Sequence, residues 1–448
     1  MATDSLVEQS GQDWVPRALP GGAATVVEFS PLSERSSDAL SQPFGNLSAE
    51  ERLQFVVGNS FFTTAWVSAG ASVAGRDGLG PLFNAAACQD CHIRDGRGRP
   101  PQSEEEPINA AVVRIALADG SPDPVYGNQI QTRSLPGLPA EARVRVRWLP
   151  ETYRLPDGET IALRRPELQL DRWGYGSPAE GLRAGLRIAP PMTGLGLLEA
   201  IPAAAIQAQT QQPGATGQLQ ILAQRAGWED PPLGRFGWKA SKATVAEQSL
   251  DAFVNDLGIT SSRFPVDACT PPQRQLGCDE LPHGGTPELE PGIETAVLVY
   301  ARHLAPPARR NIAQPAIAAG RALFESIGCQ SCHRARWETG VSSDSPASSR
   351  QIIWPYTDLL LHDMGPGLAD GLIEGQASGQ HWRTPPLWGL GQVKTVGGEQ
   401  AGYLHDGRAR TLAEAIVWHG GEARPARDAW AALPKAQRRQ VLAFLNSL

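Results

Sequence analysis

A chain of 448 residues is long enough for two or three domains, each with its own core. A net charge of −7 provides no basic surface for nucleic acid. No run of 18 apolar residues is present to cross a membrane: the uncharged stretch 56–75 is too rich in Gly, Ser and Thr.

In chain order, the first 80 residues are weakly patterned and predict an extension packed on the first domain. Their opening, "MATDSLVEQSGQDW", lacks the apolar h-region of a signal peptide. Next comes "FNAAACQDCHIRDGRGRPP", in which Cys88, Cys91 and His92 spell CxxCH. Two thiols three positions apart can add to the two vinyl groups of one porphyrin, and the adjacent histidine is placed to ligate iron. "VRVRWLPETYRLPDGETIALRRPELQL" alternates around Pro156, Asp157 and Gly158, which predicts a β-hairpin over about 140–170. Cys269 and Cys278 bracket a Pro-containing loop of a size that suits a disulfide, worth about 2–3 kcal/mol by chain-entropy reasoning.

"GCQSCHRARW" repeats the CxxCH pattern at Cys329, Cys332 and His333. A four-cysteine zinc site built from both pairs is the rival reading. Paired zinc knuckles usually stand about 15–20 residues apart, whereas Cys91 and Cys329 are 238 apart, and zinc uses neither histidine. Two covalently bound haem c groups are therefore expected. Haem c is attached outside the bacterial cytoplasm, which implies an exported, periplasmic protein whose leader has been removed.

Further pairs point to an internal repeat. "APPMTGLG" matches "TPPLWGLG", and "FGWKASKATVAEQ" matches "YLHDGRARTLAEA", setting Trp238 opposite His405. "IETAVLVYARHL" matches the terminal "RRQVLAFLNSL", both amphipathic helices. The expected fold is mainly α: two cytochrome c-like domains related by duplication, with a β-hairpin insertion in the first and long loops. The extension would span 1–80, the first haem domain 81–307 and the second 308–448, meeting near Ala305–Asn311.

Together with "RTPPLWGLG", "PYTDLLLHDMGPGLADG" and "YLHDGRARTLAEAIVWHGGEA", these motifs resemble the di-haem oxidoreductase family (peroxidases or thiol oxidoreductases) of the bacterial di-haem cytochrome c peroxidase and MauG superfamily. The resemblance covers most of residues 15–448. It implies two unequal haems, one low-spin and receiving electrons, the other in the N-terminal domain and meeting peroxide, with a tryptophan between them. It implies His92 and His333 as proximal iron ligands, Trp238 as the inter-haem tryptophan and Gln248, ten residues on, as a distal-pocket glutamine. The plainer alternatives are a core tryptophan and a solvated helix residue.

Several positions depart from the family pattern. Its proton-handling glutamate, ten residues after the glutamine, is Gly258 here; Asp256 is the nearest substitute, with Asp251 and Glu199 behind it. No histidine lies between His92 and His283, so the first iron is either open or held by a weaker ligand, for which Met192 is the only methionine in that span. Fourteen residues after His405, where the peroxidases have a ligating methionine and MauG a tyrosine, this chain has His419. That implies bis-histidine ligation with His333 and a lower potential than Met/His ligation gives. The adjacent Gly420 and Gly421 would let backbone approach the porphyrin. His405 is expected near the inter-haem or propionate region, and His362 at the second haem's edge or in a structural hydrogen bond. Arg94, Arg97, Arg408 and Arg410 are propionate candidates. Calcium is a doubtful further cofactor, because the asparagine of the family's calcium site is Gly194.

The leading functional expectation is a peroxidase-like enzyme that reduces H2O2 at an open N-terminal haem, with electrons relayed from a bis-histidine C-terminal haem. Alternatives are MauG-like oxidation of a partner protein, oxygen-dependent cleavage of an organic substrate and, in another class, a non-enzymatic electron carrier. Partners would be H2O2 or O2 and a small redox protein or protein substrate.

Overall fold

The computed structural model describes residues 19–25, 36–212, 214–224 and 229–448. The remainder of the N-terminal extension, "MATDSLVEQSGQDW" included, lies outside the described residues.

Helix α1 (Ala49–Thr63) starts at a capping box: the Ser48 hydroxyl accepts from the Glu51 amide, and the Glu51 carboxylate accepts from the Ser48 amide. The single turn α2 (Cys88–Cys91) carries the first CxxCH. Strand β1 (Ala111–Ala116) is central in a three-stranded antiparallel sheet, flanked by β2 (Gln129–Ile130) and β5 (Arg183–Ile188). Between these two, β3 (Arg143–Arg154) and β4 (Thr160–Asp171) pair from Arg143↔Asp171 to Arg154↔Thr160. This is the hairpin read from the alternation. Its tip is tied down: Asp157 and Glu159 accept from Arg438 at 2.7 and 2.8 Å.

Helix α3 (Val245–Asp256) follows, then the turn α4 (Pro271–Arg274) inside the Cys269–Cys278 disulfide. Helix α5 (Pro291–His303) packs on α1. In the second half, α6 (Pro315–Ser326) leads to the second CxxCH, β6 (Leu361–Asp363) pairs with β7 (His381–Arg383), and α7 (Leu412–Val417) precedes the terminal α8 (Lys435–Ser447), which packs on α6. Among the described residues, no helix is long and apolar enough to cross a membrane.

The mainly α expectation is overturned. Helices hold 31% of the described residues and strands 16%, in several small sheets, so the fold is mixed. It does not show a two-domain duplication either. The strands were hard to read because β2, β6 and β7 are only two or three residues long, too short for any periodicity, and β1 and β5 are short runs that suit a buried helix as well. The largest buried apolar cluster combines Val113 and Leu186 with Trp430 and Phe444, and so crosses the Ala305–Asn311 seam.

Two candidate haem sites and an aromatic cluster

At the first site, the Asp90 carboxylate accepts from the Ala86 and Ala87 amides, each at 3.1 Å, which closes the start of α2. The turn then delivers Cys88, Cys91 and His92 to a cavity of about 510 Å³, lined also by Trp238, Gln248, Asp256 and Met192. His92 Nδ1 lies 2.9 Å from the Pro190 carbonyl. A carbonyl only accepts, so Nδ1 carries the proton and Nε2 keeps its lone pair. Burial pushes His92 down to about 4, which keeps the ring neutral. Burial also raises the Cys88 thiol to about 12 and the Cys91 thiol further. Neither is a thiolate at neutral pH, as a metal-ligating or nucleophilic cysteine would be.

The acid–base candidates separate clearly. Gly258 has φ +71°, and a Cβ there would lie 2.7 Å from Gly80 Cα and 2.8 Å from the Leu82 carbonyl, so the position admits no side chain. Glu199 is committed to Arg302 at 2.8 Å and to the Val245 amide at 2.7 Å. Asp251 is 2.6 Å from Lys242 Nζ. Asp256, at the end of α3, faces the cavity with no cation in its bonds: its Oδ1 accepts from Gln129 Nε2 at 2.7 Å. Burial lifts its carboxyl to about 6.

At the second site, His333 Nδ1 lies 3.0 Å from the Tyr356 carbonyl, and burial pushes this ring down to about 4, with a smaller push from His419 close by. His419 follows α7, which Thr411 caps by accepting from the Glu414 amide at 3.1 Å. Its Nδ1 lies 2.8 Å from the Ala415 carbonyl, and burial lowers its pKa too. His92, His333 and His419 thus share one arrangement: Nδ1 donates to a carbonyl, and Nε2 has no hydrogen bond among the described residues. That is the tautomer an iron-ligating histidine needs. Gly420 and Gly421 meet protein backbone: a Cβ at Gly421 would lie 2.2 Å from the Asp363 carbonyl, and one at Gly420 2.8 Å from that of Met364.

His362 is different. Its Nε2 lies 2.8 Å from Asp358 and its Nδ1 2.7 Å from Glu422, with Cys332 Sγ at 3.6 Å. Burial alone would lower its pKa; the bonds to Asp358, Cys332 and Glu422 outweigh burial and lift it to about 12. It is an imidazolium with both nitrogens occupied, not a free ligand. His362→Gln is expected to cost about 3–5 kcal/mol by leaving buried Asp358 without its cation. Because the folded pKa is raised, the wild-type advantage is full below about pH 6.5 and shrinks as pH rises towards about 12. Denaturant titrations should therefore show a smaller deficit for the variant at alkaline pH than in acid. Cys332, Asp358 and His362 offer ligand atoms within 4.8 Å of one another; among the described residues the four CxxC thiols do not gather into one metal site.

A set of aromatic rings adjoins the first cavity. Trp238 donates Nε1–H to the Ile188 carbonyl at 2.8 Å. Its ring meets His405 edge-on, centroids 6.5 Å apart at 73°, and His405 stacks on Trp382 at 3.7 Å and 11°. Trp238 and His405, opposite one another in the sequence repeat, are thus in contact. Burial pushes His405 down to about 3, so it is neutral. Arg97 lies 5.4 Å over Trp238 and donates to the Gly402 and Leu404 carbonyls, while Arg408 pairs with Asp406 at 2.7 Å and covers Trp418. Arg410 bonds Glu414 and the Ala162 carbonyl, and Arg94 is exposed. Gly194 is pressed on Trp388, 2.1 Å from a built Cβ.

Comparison with known proteins adds one decisive match. A family model described as "Di-haem oxidoreductase, putative peroxidase" matches residues 16–121 and 175–448. The chain belongs to the di-haem oxidoreductase family. The paired thiols with a free-Nε2 histidine beside each fit the haems that this di-haem oxidoreductase family carries. No curated protein matches the chain. Among solved structures, a chain of Kuenenia stuttgartiensis hydrazine synthase is similar over 91% of this chain and 94% of its own, at 13% identity and a TM-score of 0.32, too slight a likeness to bear on chemistry.

Sequence reasoning missed Trp382, Lys239, Asp370 and Gln129. Lys239 is fully buried, 3.2 Å from Asp370 and 4.2 Å from the Trp382 ring. Trp382 could have been suspected from its place beside the Pro-Pro loop in "HWRTPPLWG". Gln129 carries no signal at all, since its role depends on where α3 ends.

Proposed function

We propose that this di-haem oxidoreductase reduces H2O2 in the 510 Å³ cavity, with haem c attached covalently at Cys88 and Cys91 and at Cys329 and Cys332. Residues 81–307 would form the peroxide-reducing part and 308–448 the electron-receiving part, supplied by a small reduced redox protein in the periplasm. The observation that carries this reading is the convergence of His92, Gln248, Asp256 and Trp238 on one cavity.

Bound haem would supply the iron on which peroxide is reduced, with His92 Nε2 as its protein ligand. Asp256 can hold a proton at its carboxyl near neutral pH, because burial has raised it to about 6. Gln248 can orient peroxide through its amide without adding charge. The apolar walls Ile188, Leu198 and Phe253 keep bulk water from the reacting oxygens. The ring contact of Trp238 with His405, which itself stacks on Trp382, supports a route for electrons leading out of the cavity. At the second site, His333 and His419 would both serve as imidazole ligands of the second haem, which would supply a site for electron storage rather than substrate binding.

Stopped-flow mixing of the haem-loaded protein with H2O2, with and without a reduced small cytochrome, tests the reading. Peroxide consumption that accelerates with the cytochrome is the expected result. Protein that shows no pyridine haemochrome, or whose haems are all low-spin and inert to peroxide and cyanide, would leave an electron carrier in its place.

A further inference from the structure

Beside the disulfide loop lies a second cavity of about 200 Å³, lined by Gln129, Gln131, Glu141 and Asp267 among others. It shares Pro122, Asn128, Gln129 and Asn255 with the larger cavity, so the two are separated by one layer of side chains. Gln129 and Gln131 are two apart on an extended segment and present both amides to the end of α3. Gln129 Nε2 donates to Asp256 Oδ1 at 2.7 Å and to the Asn255 carbonyl at 2.9 Å; Gln131 Nε2 donates to that carbonyl at 2.6 Å. On the far side Glu141 accepts from the Gln131 amide at 2.6 Å and from Gln273 Nε2, which stands on α4 inside the disulfide loop.

Glu141 is 3% exposed. The charged or titratable groups that face it are Asp123, Tyr126 and Tyr175, with Asp267 on the same cavity held by Arg274 at 2.6 Å. A carboxyl with two hydrogen-bond donors and no cation among the described residues is a costly way to anchor a loop, because a neutral glutamine would serve. The cavity is polar and large enough for several waters. All of Asn128, Gln129, Gln131 and Glu141 fall in 122–174, the stretch outside the family match.

We propose that Glu141 is the proton-loading residue of the peroxide cavity, taking protons from solvent in the smaller chamber and passing them, through water beside Asn128 and Gln129, to Asp256. This rests on the peroxide reading, in which H2O2, two protons and two electrons give two waters; the electrons come from the external one-electron donor and the protons from solvent through Glu141. Burial holds the Glu141 carboxyl at about 8 and Asp256 at about 6, so near neutrality Glu141 retains a proton when Asp256 has largely lost its own. The chamber thereby stands in for the carboxylate missing at Gly258.

The test compares full-length, haem-loaded wild type, Glu141→Gln and Glu141→Asp. E141Q should slow peroxide reduction about 10- to 100-fold and lose the limb of the pH profile near pH 8, and E141D should restore part of both. Independently of turnover, the pH dependence of the N-terminal haem's midpoint potential should flatten in E141Q, and infrared difference spectra of the wild type should show a buried carboxyl titrating near pH 8. Unchanged pH dependence of rate and potential in E141Q, or E141D no better than E141Q, would overturn the proposal and make Glu141 a structural anchor. If E141Q does not fold, the wild-type infrared titration decides, and the absence of such a carboxyl overturns it. A wild type that titrates and shows the pH-dependent potential but consumes no peroxide would sink the peroxide reading instead.

Discussion

Asp256→Asn is expected to slow peroxide consumption by about 10²- to 10⁴-fold while leaving both haem spectra in place. The carboxyl faces the cavity, accepts a hydrogen bond from Gln129 and, raised by burial to about 6, can alternate between acid and base near neutrality. Asparagine keeps the shape and loses the proton. The stability effect should run the other way. A raised carboxyl contributes fully below its unfolded value of 3.8, and that contribution is lost as pH rises through about 6, where the cost of burying ionised Asp256 outweighs the Gln129 hydrogen bond and the charge of Arg114. Above about pH 6 the variant should therefore melt no lower than the wild type, so lost turnover cannot be charged to unfolding. Stopped-flow rates and thermal melts on either side of that pH check both halves. An unchanged rate would remove Asp256 from the acid–base role.

His419→Ala is expected to turn the C-terminal haem from low-spin to high-spin and to stop electron delivery from external donors. His419 is near enough to His333 to influence its protonation, and its Nδ1 is held by the Ala415 carbonyl with Nε2 free. Imidazole donates more strongly to ferric iron than thioether does, so the wild-type potential should be low, and His419→Met should raise it and introduce a near-infrared Met-to-iron band. Visible spectra, magnetic circular dichroism and redox titration read these changes. A low-spin spectrum untouched by His419→Ala would sink the assignment, and His362 would be a poor replacement, because both of its nitrogens are bound to carboxylates.

Much of the candidate site was legible because its chemistry is local. CxxCH is a five-residue pattern in which spacing and residue type by themselves lead to the expectation of haem attachment. Thr411 and Thr244, at matching places in the two quoted segments, cap α7 and α3 in the same way. The hairpin too was legible, since β3 and β4 are long enough to alternate and meet at a Pro-Asp-Gly turn. Fold class was not. Short strands such as β6 and β7 arise only when loops from distant parts of the chain are brought side by side, and the helical repeat gave too much weight to the helices.

From its sequence alone, this chain determined two thiol pairs each followed by histidine, an imidazole at position 419 and the loss of a carboxylate at 258. Residue identity and spacing need no tertiary contact to be read. Only the tertiary structure decided that Trp238, His405 and Trp382 touch, that His362 is an imidazolium held by Asp358 and Glu422, and that Asp256, Gln129 and Glu141 line adjoining cavities. Those properties come from contacts between residues up to hundreds of positions apart and from desolvation. Burial is a property of the packed chain, and with smaller pushes from Asp251 and Asp123 it moved Asp256 and Glu141 into the range where a carboxyl can carry protons at neutral pH.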